Sequence, residues 1–321
     1  GERPGPERGR GQVVGSRTAA SLNCRDCRTV QGGYGSAAGA LPLSPISDGA
    51  GEVAAVGDGV SRVKVGDRVC PTFFPNWLAG PPPATGFGGA LGGPYDGVMQ
   101  ELMLLDADAV VRVPDHLSDL EAATLPCAGL TAWSAVVTQG GIQPGDTVLV
   151  QGTGGVSIFA LLFAKMHGAE VIATSSSDEK LEKVKALGAD HLINYRQTPE
   201  WGKAARAITG GRGVDLVVEV GGAGTLKDSV RATRIGGTIA MIGVLAGARS
   251  DLNVPLVVMQ NMRLQGVTVG SREMFEAMAR AMALHKTKPP IDDKVYGFDD
   301  LRPALEAMPS GKHFAKICLQ F

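Results

Sequence analysis

Thr147-Val-Leu-Val-Gln-Gly-Thr-Gly-Gly-Val-Ser-Ile-Phe-Ala160 is the stretch whose reading decides the fold. Thr147–Gln151 is a short apolar run of the kind that forms a buried strand. The helix predicted over 156–167 is apolar nearly all round, which places it between other layers. A glycine loop between a buried strand and a helix is the setting of a dinucleotide fingerprint. Gly152 permits the tight turn, and Gly154 lets the backbone approach a pyrophosphate. That group would rest on the helix start, at the N–H groups of Gly155 and Val156. Ser157 fills the third glycine slot and is small enough for close helix–strand packing. A tight turn that holds no ligand is the plain alternative.

Downstream the same alternation continues. Strands are expected over 170–174, 192–195, 215–220, 238–242 and 263–269, with helices over 178–187, 201–208 and 226–233 between them. Strands alternating with helices imply right-handed crossovers and a doubly wound parallel α/β sheet. Upstream, 50–113 reads as short strands and glycine turns, a β-rich domain, with an irregular loop around Pro81-Pro-Pro83. The Gly/Arg-rich stretch 1–28 shows no strand pattern and no apolar signal-peptide core. The tail is expected to supply helices over 273–285 and 301–308 and a strand over 315–320 that return to the first domain. The domains are then 1–124 plus 272–321, and 125–271.

Composition excludes several classes. The 321 residues suit about two domains. Lys and Arg total 31 against 32 Asp and Glu, so no basic field points to nucleic acid. No apolar run reaches the ~18 residues that span a bilayer. Five cysteines, an odd number, do not make a disulfide framework, and a soluble, cytoplasmic protein is the expectation.

Cofactor choice turns on a missing acid. NAD sites carry Asp or Glu about 20 residues beyond the loop, on the ribose 2′-OH. Here the strand end reads Ala173-Thr-Ser-Ser-Ser177. Ser175, Ser176 and nearby Lys180 suit a 2′-phosphate, so NADP(H) is expected over NAD(H). The alternative is that the serines only cap the next helix.

The motifs together resemble the medium-chain dehydrogenase/reductase superfamily, in its alcohol dehydrogenase and quinone oxidoreductase branch. They are Ala20-Ser-Leu-Asn-Cys-Arg-Asp26, Ser47-Asp-Gly-Ala-Gly-Glu-Val53, Val65-Gly-Asp-Arg-Val69, Ala122-Ala-Thr-Leu-Pro-Cys127, Leu130-Thr-Ala-Trp133, Gly152–Ser157, Ala186-Leu-Gly-Ala189 and Gly236-Gly-Thr238. The resemblance implies a GroES-like β-rich catalytic domain, a Rossmann domain and a cleft between them. It also implies a missing first strand at the amino end. The family's zinc ligands fall on Asn23, Ser47 and Cys127, of which only Cys127 binds zinc well. No metal is therefore expected, and the Cys24/Cys27 pair has no second pair to complete a site.

The resemblance places Asn23, Ser47, Asp48 and Thr131 along the cleft as candidate catalytic residues. Asn23 would donate through its amide and Thr131 would lie beside the nicotinamide. Asp48 would orient a water or merely satisfy backbone N–H groups. Arg25 and Asp26 read equally as a local salt bridge. Tyr195 would stack on adenine or pack in the core. Val220 and Gly221 end a strand at the ligand edge. Lys316 sits where relatives place a basic residue on the pyrophosphate, with a solvated lysine as the alternative. Phe73, Phe74, Trp77 and Leu78 suggest a pocket wall or ordinary packing. The resulting expectation is an NADP(H)-dependent, zinc-independent oxidoreductase acting on a small carbonyl, enone, quinone or alcohol, as a homodimer. The alternatives are a catalytically impaired nucleotide-binding protein on the same fold and a zinc-type alcohol dehydrogenase.

Overall fold

The computed structural model describes residues 5–35, 39–84 and 86–321. It begins with β1 (Gln12–Ser21), α1 (Cys24–Val30), β2 (Asp48–Val56), β3 (Arg68–Pro71), β4 (Ala90–Leu91), β5 (Pro94–Tyr95), β6 (Leu102–Asp106) and β7 (Val110–Arg112). Helices α2 (Asp119–Ala122) and α3 (Leu130–Trp133) follow. Strands and helices then alternate: β8 (Thr147–Gln151), α4 (Gly155–Met166), β9 (Glu170–Ser175), α5 (Asp178–Ala186), β10 (His191–Asn194), α6 (Trp201–Ile208), β11 (Val214–Glu219), α7 (Leu226–Ala232), β12 (Thr233–Met241), α8 (Val254–Met259) and β13 (Arg263–Gly266). The tail holds α9 (Arg272–His285), β14 (Val295–Gly297), α10 (Leu301–Ala307) and β15 (Cys318–Gln320). These elements form two compact units, residues 1–130 with 269–321, and residues 131–268.

In the second unit the strand order is β10-β9-β8-β11-β12-β13, and every pairing is parallel. This is the doubly wound sheet that the alternation predicts. Ile172, Leu149, Val217, Ile239 and Leu264 lie in register across five strands. With side chains alternating in direction along each strand, the row presents one face. Trp201 and Ala205 of α6 and Leu226 and Val230 of α7 cover it. The other face takes α4, whose Ile158, Phe159, Leu161 and Phe163 are all buried. Each such side chain contributes about 1.5–3 kcal/mol of burial.

The first unit corrects one expectation. The amino-terminal segment contains a ten-residue strand at the centre of a seven-stranded sheet (residues 1–4 of that segment lie outside the described ones). β1 pairs antiparallel with β2, β6 and β15. Its polar middle, Gly15-Ser-Arg-Thr18, is tolerated because main-chain pairing holds it and most of its side chains lie only half-buried. The tail returns as expected, with β15 on β1 and β14 parallel to β15. Leu22, Ile46, Val98, Ala304, Ile317 and Leu319 close the core there.

Candidate active site

The nucleotide half is built at the C-terminal ends of β8, β9 and β11. Gly152 adopts φ +71°, the left-handed region that favours glycine, and its N–H donates to Thr174 O at 2.8 Å. Gly154 is the N-cap of α4. No atom lies within 4 Å of where a Cβ would stand on Gly152 or Gly154, so the loop faces open space. The first-turn N–H groups of α4, Gly155 and Val156 among them, have no intrahelical acceptor. Ser157 is buried and its hydroxyl donates back to Gln151 O at 2.5 Å, tying helix to strand.

The serine cluster divides its roles. Ser177 is the N-cap of α5 and accepts from the Lys180 N–H at 3.3 Å. Ser175 is buried at the end of β9, and its hydroxyl accepts from the Ser177 N–H at 3.2 Å. Ser176 and Lys180 are half-buried. Tyr195 is exposed, not in the core, and its N–H donates to Ser175 O. Asp178, at the start of α5, accepts from Asn194 and Gln197. Thr131 is buried in α3.

The turn after β11 holds Val220 and Gly221. A Cβ on Gly221 would meet Thr225 Oγ1 at 2.3 Å, so only glycine fits there. Two residues that sequence reasoning passed over dominate this turn. Glu219 is fully buried, and Gln151 nearly so. The signal was available: each is a polar residue that follows a Val/Leu run at the C-terminal end of a buried strand.

In the first unit a polar chain converges from four separate segments. Lys316 is 4% exposed, which removes the solvated alternative. Its ammonium donates to Leu22 O and, at 2.6 Å, to Asn23 Oδ1. Asn23 Nδ2 donates to Ser47 Oγ at 3.3 Å, and Ser47 Oγ donates to Asp48 Oδ1 at 2.7 Å. Asp48 Oδ2 accepts the Cys127 N–H at 2.9 Å. Burial pushes the Asp48 carboxyl up, while Lys316 and its hydrogen bonds pull it down. Asp26 caps α1 by accepting the Asn23 N–H at 2.7 Å. Burial first, then the charge of Asp48, pushes the Asp26 carboxyl up to about 7.

Neighbouring candidates are structural. Phe73, Phe74 and Trp77 are buried and pack with Phe87, while Leu78 is exposed; the aromatic cluster is a small core of its own. Arg25 donates to Leu91 O and Gly93 O and lies 4.0 Å from Asp26. All five cysteines are free thiols.

Comparison with known proteins places this geometry. Residues 9–115 match the alcohol dehydrogenase GroES-like domain, and residues 155–283 match the zinc-binding dehydrogenase domain. A zinc-type alcohol dehydrogenase-like protein of Schizosaccharomyces pombe is 43% identical over 97% of this chain and 91% of its own length. The chain belongs to the medium-chain dehydrogenase/reductase superfamily. Among solved structures, a putative alcohol dehydrogenase from Sinorhizobium meliloti superposes with a TM-score of 0.93 at 43% identity, over 99% of this chain and 93% of that one. An NAD-dependent alcohol dehydrogenase superposes with a TM-score of 0.90 at 34% identity, covering 100% and 95%. This dehydrogenase/reductase is an alcohol dehydrogenase-like oxidoreductase.

The relatives' names imply zinc, and the donor set here does not fit it. Asn23 Oδ1 is occupied by an ammonium, and Ser47 is a neutral hydroxyl engaged at both ends. Cys127 alone of the three positions carries a good zinc ligand, and one such ligand does not make a zinc site. The Lys316 charge would oppose a dication at the same place. Among the described residues no group of three or more His, Cys, Asp or Glu is arranged to hold a metal, and no helix is long and apolar enough to cross a membrane.

Proposed function

We propose that this dehydrogenase/reductase is an NADP(H)-dependent, zinc-independent oxidoreductase that moves hydride between the nicotinamide and a small carbonyl, enone, quinone or alcohol. The observation that carries this is the Lys316–Asn23–Ser47–Asp48 chain at the family's zinc positions. Gly152, Gly154, Gly155, Val156, Val220 and Gly221 would hold the dinucleotide, with Thr131 beside its nicotinamide and Tyr195 at the adenine end, and the reduced cofactor would supply the hydride. The remaining work falls to the first unit. An ammonium can only donate, so Lys316 fixes Asn23 with its oxygen inward. The Asn23 amide must then donate to Ser47, and its second N–H is left for a substrate oxygen. Ser47, whose hydroxyl donates its hydrogen bond to Asp48, accepts from the amide and holds it in that sense. The Lys316 charge stabilises the oxyanion that hydride addition develops. This assigns Lys316 to carbonyl polarisation in place of the pyrophosphate role. Turnover of NADPH with a panel of aldehydes, enones and quinones should persist in chelator, with no stoichiometric zinc by elemental analysis. Stoichiometric zinc with activity lost on chelation would overturn the reading.

The Ser175 position supports NADP(H), because the residues that end the strand, Ser175 and Ser176, carry no charge and the nearby Asp178 is engaged by Asn194 and Gln197. NADPH should bind several-fold more tightly than NADH by nicotinamide fluorescence, although one relative is named NAD-dependent. Ser175→Asp should reverse that order. A charge-assisted hydrogen bond of about 1.5–3 kcal/mol sets the scale at roughly 10- to 150-fold. Lys180→Ala should weaken NADPH alone. Equal affinities would leave the serines as helix caps only.

The homodimer remains our assignment, through β13 at the sheet edge. Val254, Val258 and Met259 of the preceding α8 are exposed, as a covered surface requires. Sedimentation at micromolar concentration should give twice the chain mass. The free cysteines suit a reducing, cytoplasmic setting.

A further inference from the structure

We infer that Glu219 is a positioning residue for the cofactor, holding the Val220–Gly221–Gly222 turn in its binding form; this rests on the cofactor assignment above. Glu219 ends β11, and Gln151 ends β8, the two adjacent strands where the sheet order reverses. Loops leaving such neighbours diverge and open a crevice above the strand ends. The two side chains form the floor of that crevice. Glu219 Oε1 accepts the Gly221 and Gly222 N–H groups at 2.8 and 2.9 Å and the Thr225 hydroxyl at 2.5 Å. Its Oε2 accepts Gln151 Nε2 at 2.8 Å and the Ser229 hydroxyl. Gln151 Oε1 in turn takes the Val220 and Gly221 N–H groups at 3.3 and 3.4 Å.

The donors meeting Glu219 are all neutral, and no lysine or arginine is among its hydrogen-bond partners. Five donors on one carboxylate are more than burial of a single side chain requires. Two of them are main-chain N–H groups of the turn, and with the Val220 N–H on Gln151 Oε1 three consecutive N–H groups are held by this pair of side chains. The turn therefore offers no N–H to an anion. Gly221 and Gly222 are themselves buried, Gly222 at φ +82° close against Gly243, Val244 and Gly247, which leaves Val220 as the half-buried residue of the turn. The pyrophosphate would be left to the α4 end, and the nicotinamide half of the cofactor would pass the half-buried Val220. Because Gln151 precedes Gly152, the same cluster links both cofactor loops.

The linkage predicts how substitutions behave. In Glu219→Gln the new amide must set its nitrogen either against the Gly221, Gly222 and Thr225 donors or against Gln151 Nε2. If Gln151 flips to accept, the Val220 N–H loses its acceptor and the Gly221 N–H its second one. Exchanging the pair, with Gln151→Glu and Glu219→Gln together, restores every donor to an acceptor.

NADPH and NADH titrations by fluorescence test this, with steady-state constants alongside. Glu219→Gln should raise the dissociation constant and KM for the cofactor roughly tenfold, equal to about 1.4 kcal/mol. The KM for the carbonyl substrate and kcat should stay within about twofold of wild type. The exchanged pair should recover most of the affinity. If Glu219→Gln does not fold, Thr225→Val and Ser229→Ala each remove one donor and should weaken the cofactor about two- to threefold. Unchanged cofactor affinity in these variants, a fall in thermal midpoint alone, or no recovery in the exchanged pair overturns the positioning role. A wild-type chain that binds neither nicotinamide dinucleotide overturns the cofactor assignment itself, and the positioning role with it.

Discussion

Lys316→Met should lower kcat by two to three orders of magnitude while leaving the dissociation constant for NADPH unchanged. Methionine keeps most of the buried methylene volume and removes the ammonium. The Asn23 amide then loses the donor on Oδ1 that fixes its orientation, and the charge facing a developing oxyanion is gone. Loss of one preorganised oxyanion donor costs about 2.7–4 kcal/mol in transition-state stabilisation. The alternative role, a basic residue on the pyrophosphate, predicts the opposite split, with cofactor affinity weakened and kcat spared. Asn23→Ala should fall to the same level as Lys316→Met. The double variant should be little worse than either, since both remove one unit. A Lys316→Met enzyme with normal kcat and weak NADPH binding would return the lysine to the cofactor.

Much of the nucleotide half was legible because its signals are local. Thr147–Gln151 is a largely apolar run, Leu216-Val-Val218 is apolar between two acids, Gly152 needs a positive φ, and Ser177 stands directly before a charged helix. β1 was not legible, since its identity lies in main-chain pairing with three strands, which leaves no mark on Gly15, Ser16 or Arg17. The burial of Lys316 was not legible for a related reason. A lysine in isolation reads as solvated, and its partners Leu22 and Asn23 lie almost the whole chain away. Only the return of β15 beside β1 brings them together. The aromatic residues around Trp77 carry no pattern that separates a pocket wall from a core, and the structure makes them core.

The second large effect is on stability, at Asp26. Its side chain is 1% exposed, and Oδ2 accepts the Asn23 N–H. Oδ1 has no hydrogen-bond partner among the described residues, with Arg25 as far as 4.0 Å. Burial and the Asp48 charge raise the folded-state value to about 7, from 3.8 for a free side chain. Between those values the folded chain holds a proton that the unfolded chain has released. Stability from this group is therefore complete below about pH 4 and declines as pH rises to about 7. At about 1.4 kcal/mol per unit, the span amounts to roughly 4 kcal/mol. Asp215 does not disturb this window. Burial alone would raise its carboxyl, but Arg212, the Thr147 N–H and Arg234 hold it at about 2, so its contribution is lost only in stronger acid. Asp26→Asn cannot ionise, keeps an oxygen for the Asn23 N–H, and sets its amide nitrogen where no donor stood. Urea unfolding should therefore find Asp26→Asn close to wild type at pH 4 and more stable by several kcal/mol at pH 8. The wild-type decline between those values should shrink, leaving the share of Asp48, whose carboxyl burial also raises. A variant less stable than wild type at pH 8 would show that the ionised carboxylate is held by Lys316 and Arg25 more strongly than burial opposes it.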